Sequence, residues 1–125
     1  MYNRKDMYND YSDQSLTYYY DTIFNGDVKA MFEWSYGDTT PLSFVFTSKD
    51  GFENKEAEIT FYNFRYEILY KVNVQANETV VINIDEELTK TFPRGVYYCS
   101  SKLIDTENHT IETVIPQDRG LIFVR

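Results

Sequence analysis

The side chains that could act as a nucleophile or a general base are few in this sequence. His109 is the only histidine and Cys99 the only cysteine. His109 falls in a polar run, residues 105–109, that is typical of an exposed turn and offers no cleft or oriented partner for proton transfer. Cys99 would need a cation, a metal or a helix N-terminus to lower the pKa of its thiol, and it alternates instead with Tyr97 and Leu103. We therefore interpret His109 as a solvated turn residue and Cys99 as a small buried hydrophobic residue.

Metal and phosphate chemistry is not indicated either. The acidic runs at residues 85–87 and at Asp105 with Glu107 lack the carboxylate spacing that wraps a calcium ion. A single cysteine excludes a cysteine-built metal site and an internal disulfide framework. The candidate serines lie outside a Gly-x-Ser-x-Gly turn; they are Ser43, Ser100 and Ser101. We expect no catalytic residue, no metal and no cofactor.

Two aromatic side chains suggest an alternative function in carbohydrate binding. Trp34 and Tyr36 stand two residues apart and could form a platform for a sugar ring. Trp34, however, alternates with Val28, Ala30 and Phe32, which favours a position in the core. Tyr36 falls in a turn and is open to either role.

Composition and charge limit the classes of partner. The chain has 125 residues, the length of one domain, and a net charge of −8. This charge repels phosphate backbones, so we expect no nucleic acid partner. No apolar run approaches the roughly 20 residues needed to cross a bilayer, and no apolar segment of a signal peptide follows Met1. We expect no membrane partner.

Residues 1–26 differ in composition from the rest of the chain. They hold six of the twelve tyrosines among Asp, Asn, Ser and Gln, with Leu16 and Ile23 as the only aliphatic residues. Too few apolar groups are present to build a core, so we interpret this segment as an extended arm. It is either a disordered terminus or a segment that orders on a partner, since tyrosine offers a large contact area with few rotors. The candidate partner-binding residues are Tyr2, Tyr8, Tyr11, Tyr18, Tyr19 and Tyr20.

Residues 27–125 alternate between apolar and polar side chains in a series of short strands. Turn signals separate the strands at intervals of roughly 10 to 15 residues, and no helix is long enough to connect parallel strands. Lys49, Asp50 and Gly51 read as a hairpin-type turn, and residues 85–91 as one helical turn with acids at its start. The composition and spacing predict an all-β, antiparallel sandwich of about seven to eight strands. The predicted inward faces are Val28, Ala30, Phe32 and Trp34; Leu42, Phe44 and Phe46; Ala57, Ile59 and Phe61; Ile68, Tyr70, Val72 and Val74; and Val80, Ile82 and Ile84.

The stretch 92–104 predicts the first strand of a central hairpin. Pro93 and Gly95 end the preceding segment, and we expect Gly95 to take a positive φ where the chain turns. The predicted inward residues of this strand are Tyr97, Cys99, Ser101 and Leu103, and the opposite face, which carries Lys102, is expected to be the wetter one. Residues 110–115 form the predicted returning strand, residues 116–120 a turn, and residues 121–124 a short final strand.

Two short motifs resemble those of a known family. Gly37-Asp38-Thr39 precedes an alternating strand, and Pro93-Arg94-Gly95 with Tyr97 leads into the central hairpin. In this order they resemble the immunoglobulin-like domain at the N-terminus of phage baseplate upper proteins and related phage structural proteins. The resemblance covers about residues 28–125. It implies an immunoglobulin-like β-sandwich and a place in a phage particle.

We therefore expect a non-enzymatic structural protein of a bacteriophage virion, in the tail, the baseplate or attached to the capsid. It would act through contacts with other virion proteins, in several copies, after assembly in the host cytoplasm. The alternatives are a carbohydrate-binding module that uses exposed aromatic rings and a small inhibitor or accessory protein.

Overall fold

The computed structural model describes residues 30–125, apart from the side chain of Asp118. The chain divides between Met31 and Phe32, and all regular structure of the described part follows that division. The predicted arm, residues 1–26, and its boundary at residue 27 lie outside the described residues. The described elements are β1 (Phe32–Trp34), β2 (Thr40–Val45), β3 (Lys55–Asn63), β4 (Ile68–Gln75), β5 (Thr79–Ile84), a 3₁₀ turn (Leu88–Thr91), β6 (Gly95–Asp105) and β7 (Thr110–Val124).

Seven strands in two sheets make the described part nearly all β, as the composition predicts. The larger sheet has the strand order β1-β7-β6-β3-β4, and the smaller sheet consists of β2 and β5. No helix in residues 30–125 is long and apolar enough to span a membrane.

The prediction of a purely antiparallel arrangement is wrong at one edge. Strand β1 pairs with β7 in parallel, with Phe32 opposite Ile122 and Trp34 opposite Val124. Parallel pairing is possible here because the whole rest of the fold separates the two strands in sequence, so no tight turn has to join them. The other pairings are antiparallel.

The two sheets share one apolar core, and its inward faces are largely those that the alternation predicts. Strand β2 contributes Leu42 and Phe44, with Phe46 just beyond its end, and each is at most 3% exposed. The predicted inward residues of β3, β5 and β6 are also buried: Ala57, Ile59, Phe61, Val80, Ile82, Ile84, Tyr97, Cys99, Ser101 and Leu103.

A β-bulge overturns the prediction for Ile68. Phe61 lies opposite Tyr70, but Tyr62 lies opposite Ile68, so Leu69 is an extra residue in β4. The bulge turns Ile68 to the outer face, where it is 60% exposed, and lets Leu69 pack against the core.

The connection from β2 to β3 is also different from the prediction. Lys49, Asp50 and Gly51 do form a turn, and Gly51 has a φ of 81°. This turn carries the chain from the smaller sheet to the larger one, since β2 pairs with β5 and β3 pairs with β4 and β6. It is therefore not a hairpin turn.

The central hairpin is confirmed as β6 and β7, which pair in antiparallel fashion. Residues 116–120 are not a turn between two strands, because β7 continues through them. Cys99 lies opposite Gly120 and Ser101 opposite Ile115, so the extra residues form a long bulge against the same partner strand. This merging of two predicted strands leaves seven strands in residues 30–125, within the predicted seven to eight.

One further expectation about β6 is confirmed and another is wrong. Gly95 has a φ of 159°, positive as predicted, although it does not lie in a turn but is paired with Val124 as the first residue of β6. The outer face of β6, expected to be wet, is buried at Val96, Tyr98 and Ser100, which are at most 8% exposed. Two aromatic side chains contribute to this cover. The ring of Tyr66 stacks on that of Tyr98 at 4.8 Å, and the hydroxyl of Tyr62 lies 3.1 Å from that of Ser100.

Candidate functional site

The two aromatic residues of the possible sugar platform do not share a surface. The side chain of Trp34 is only 6% exposed and meets Phe92 edge to face, with ring centroids 5.8 Å apart. It belongs to the core, as its alternation favours. Tyr36 is 52% exposed in the turn after β1, where its backbone N–H donates to the carbonyl of Arg125 at 2.8 Å. Tyr36 is thus the only ring of this pair that is available to a ligand.

A polar cleft lies beside this turn. It has a volume of about 620 Å³. Glu33 and Arg125 form an ion pair at the cleft, and the backbone N–H of Arg125 donates to the carbonyl of Trp34 at 2.9 Å. The lining residues are Glu33, Trp34, Ser35, Asp38, Thr39, Thr40 and Arg125. The lining provides carboxylates, hydroxyls and a guanidinium, but it brings neither His109 nor Cys99 to these groups.

Cys99 is sealed in the core. It is 0% exposed, and burial raises the pKa of its thiol from 9.0 to about 12. The thiol therefore stays protonated at physiological pH and is a poor nucleophile. Gly120 of the β7 bulge packs against Cys99 so closely that an added Cβ would lie 2.7 Å from Sγ. The predicted structural role of Cys99 is consistent with this position.

The raised pKa of Cys99 predicts slow alkylation. A pKa of about 12 instead of 9.0 lowers the thiolate fraction near pH 8 by about a thousandfold. We expect iodoacetamide to modify the folded protein at least that much more slowly than the protein in denaturant, with the modified fraction followed by mass spectrometry. Rapid modification under native conditions would show that the thiol reaches solvent without global unfolding.

His109 lies in the turn between β6 and β7, as predicted, and it is exposed with a φ of 58°. Asp105 organises this turn. Its Oδ1 accepts hydrogen bonds from the backbone N–H groups of Glu107 at 3.0 Å and Asn108 at 2.9 Å. These bonds, chiefly the one from Asn108, lower the pKa of the Asp105 carboxyl. The carboxylate thus serves to shape the turn.

The other acidic run has a similar local role. Oδ1 of Asp85 accepts a hydrogen bond from the backbone N–H of Leu88 at 2.8 Å and so stabilises the start of the 3₁₀ turn. Glu87 forms an exposed ion pair with Lys90 at 3.6 Å. Within residues 30–125, no three His, Cys, Asp or Glu side chains are placed to hold a metal ion together.

The outward face of the smaller sheet is a candidate protein-contact surface. Its six residues alternate with the inward ones and are all exposed; they are Pro41, Ser43, Val45, Thr79, Val81 and Asn83. Val45 is 66% exposed and Val81 48% exposed. Sequence analysis did not identify this surface, because the pattern of a strand shows its two faces but not which strands lie beside it.

The six tyrosines of the arm lie outside the described residues. No family model matches the chain, and neither the curated proteins nor the solved structures include a significant match.

Proposed function

We propose that this chain is a non-enzymatic structural protein of a bacteriophage particle, and that residues 27–125 form an immunoglobulin-like β-sandwich. The chain would sit in the tail, the baseplate or on the capsid, in several copies, and would act by binding other virion proteins. The observation that supports this proposal most is the location of the two motifs that carry the family resemblance.

The first motif immediately precedes β2. Gly37 has a φ of 91°, a conformation that favours glycine, and the backbone N–H of Asp38 donates to the carbonyl of Ser35 at 2.9 Å. The turn directs the chain from β1 in the larger sheet to β2 in the smaller one. In the phage domain that the sequence resembles, a Gly-Asp-Thr turn likewise opens the second strand.

The second motif opens the central hairpin. The hydroxyl of Tyr97 donates a hydrogen bond to the carbonyl of Pro93 and so ties β6 to the segment that enters it. Tyr97 also meets Phe92 edge to face, with centroids 5.2 Å apart. The motif residues thus fix the start of the hairpin, which fits the role that the resemblance gives them.

The distribution of tyrosines supports binding of partners through the arm. Half of the twelve tyrosines fall within residues 1–26, although this segment has almost no aliphatic residues. Tyrosine side chains bury much apolar area and satisfy their hydroxyl at the rim of an interface. We therefore expect the arm to bind partners without contributing to the core of the fold.

The test has two steps. Mass spectrometry of purified particles from an infected culture is expected to detect the chain as a component. Replacing the six arm tyrosines by serine in the full-length chain is then expected to reduce incorporation to less than about a tenth, because each lost aromatic contact at an interface costs on the order of 1 kcal/mol or more.

Two controls interpret the result. Tyr36→Ser alters one exposed tyrosine outside the arm and should leave incorporation unchanged; a loss of glycan binding in this variant would instead favour the carbohydrate-binding alternative. The melting temperature of each variant is measured as well. Unchanged incorporation of the six-tyrosine variant, or absence of the chain from particles, would contradict the proposal.

A further inference from the structure

Strand β5 has a free edge. It pairs with β2 on one side, and within the described part of the chain no strand pairs with the other side. Because the backbone groups of successive residues point to alternate edges of a strand, about half of the N–H and C=O groups of Thr79–Ile84 face this open side. The edge is thus a template for one more strand.

The free edge of β5 lies toward β4. Only residues 76–78 connect β4 to β5. Four Cα steps reach at most about 14 Å and packed sheets lie roughly 10 Å apart, so the start of β5 lies over β4 or over a strand near it in the larger sheet. Strand β2 lies toward the opposite side, where the rings of Phe44 and Phe32 of β1 are 5.1 Å apart.

An apolar surface is incompletely covered at this place. Tyr70, Val72 and Val74 of β4 point toward the core and pack against it, yet they are only half-buried. A strand added beside β5 would lie over them, and every second side chain of that strand would face them. Covering this surface provides an apolar contribution to binding in addition to the backbone hydrogen bonds.

The other edges of the two sheets carry features that discourage pairing. Strand β1 has three residues, β2 contains Pro41, and β4 carries Lys71 and a bulge. Short length, proline, lysine and bulges all protect sheet edges. The six residues of β5, Thr-Val-Val-Ile-Asn-Ile, contain none of these devices.

The charges at the two ends of β5 indicate what kind of strand fits. Glu78 precedes the strand and residues 85–87 follow it, and all four acids are exposed. Antiparallel pairing of β5 with a second copy would bring Glu78 of one copy toward the acids of the other, in a chain whose net charge is −8. Like charges in this arrangement oppose association. A partner strand with basic residues at both ends would instead place a positive charge next to the acids at each end of β5.

We propose that the free edge of β5 binds an extended segment of a partner protein. The segment adds a third strand to the smaller sheet, directs alternate apolar side chains onto Tyr70, Val72 and Val74, and carries Lys or Arg at both ends. The site belongs to residues 30–125 and does not depend on the assignment to a phage particle or on the arm.

The first experiment uses the isotope-labelled full-length chain and two synthetic peptides. One is Lys-Lys-Val-Thr-Val-Thr-Val-Thr-Lys-Lys, and the other has the same centre with Glu in place of each Lys. We expect the lysine peptide to shift the NMR signals of Thr79–Ile84 and to slow the exchange of their amide protons. The glutamate peptide should bind about tenfold more weakly at low salt, because the charged ends sit at the rim of the site.

Charge reversal tests the proposed recognition. Glu78→Lys with Glu86→Lys brings the summed charge of the four acids from −4 to 0, so the preference for the lysine peptide should be lost. Glu53→Lys with Glu107→Lys is the matched control, since it changes the net charge equally at two exposed acids in other loops. The control should leave the preference for the lysine peptide in place.

Three results would overturn the proposal. The first is no binding of either peptide at concentrations up to about 1 mM, the weak limit for a specific contact. The second is a set of perturbed amides outside β5 and its neighbours, or a preference that the β5 charge reversal does not change. The third is protection of the β5 amides that rises with protein concentration in the absence of peptide, which would identify a second copy of the chain as the occupant.

Discussion

Replacing Phe61 with alanine is expected to lower the free energy of unfolding by about 3 to 5 kcal/mol, the range for large aromatic side chains in a core. Phe61 is 0% exposed. Its ring lies 5.6 Å from that of Phe92, 6.1 Å from that of Tyr70 and 6.3 Å from that of Phe44, measured between centroids. The variant therefore removes one partner from three aromatic contacts that join both sheets and the segment before β6.

Denaturant unfolding followed by circular dichroism measures this effect. Against a total stability of roughly 5 to 15 kcal/mol, this loss is large and should move the unfolding midpoint clearly to lower denaturant concentration. Ile111→Ala is the control, because Ile111 is 65% exposed on β7 and its truncation should change the stability by less than about 0.5 kcal/mol. Equal effects of the two substitutions would contradict the assignment of Phe61 to the centre of the core.

Gly120→Ala is expected to cost about 3 kcal/mol, because the added methyl group overpacks a site that has no free volume. A Cβ at this position would lie 2.2 Å from the carbonyl oxygen of Cys99 and 2.7 Å from its Sγ. The nearer of these atoms belongs to the backbone, so β6 and β7 must move apart to admit the methyl group. A side-chain rotation alone cannot relieve the contact.

Two comparisons separate this steric effect from backbone strain. Gly51 has a φ of 81° and open space around its Cα, so Gly51→Ala should cost about 1 kcal/mol from conformation alone. Replacing Cys99 by alanine removes Sγ but leaves the carbonyl oxygen. The double variant Cys99→Ala, Gly120→Ala should therefore stay as unstable as Gly120→Ala or become less stable. Recovery of stability in the double variant would show that the sulfur, not the backbone, is the obstacle.

The inward faces of the strands were predictable from the sequence, because alternation has a period of two and each sheet has one face on the core. Ala57 and Ile59 illustrate this: each lies between two polar neighbours and each is buried. The central hairpin followed from the turn at residues 105–109, in which the side chain of Asp105 bonds to the backbone.

Features that depend on partners distant in sequence were not predictable. The bulge at Leu69 reverses the orientation of Ile68, but it shows only in the register with β3. Pro116 and Gly120 suggested the end of a strand, whereas β7 continues through this segment and residues 116–119 bulge between two parts that are paired with β6. The burial of Tyr98 depends partly on the ring of Tyr66, which reaches it from the turn between β3 and β4.

The candidate sites, the free edge of β5 and the cleft beside Trp34, were predictable to a smaller extent. The sequence shows that Thr79–Ile84 lacks charge and proline, but only the order of strands shows that no strand of residues 30–125 pairs with its second side. In the same way, alternation favoured Trp34 as a core residue, while the cleft beside it depends on the position of Arg125 after β7.

The parallel pairing of β1 with β7 has a consequence for the order of events during synthesis. Phe32 and its partner Ile122 are 90 residues apart (122 − 32). Strands β2 to β6 can pair among themselves as they leave the ribosome, but the residues of β7 that pair with β1 are made after all the other described strands. Closing so long a loop carries an entropic cost and slows the final step. We expect β1 to join the larger sheet only after residues 121–124 have been synthesised. In a ribosome-bound chain stalled before these residues, β1 should therefore not yet be paired.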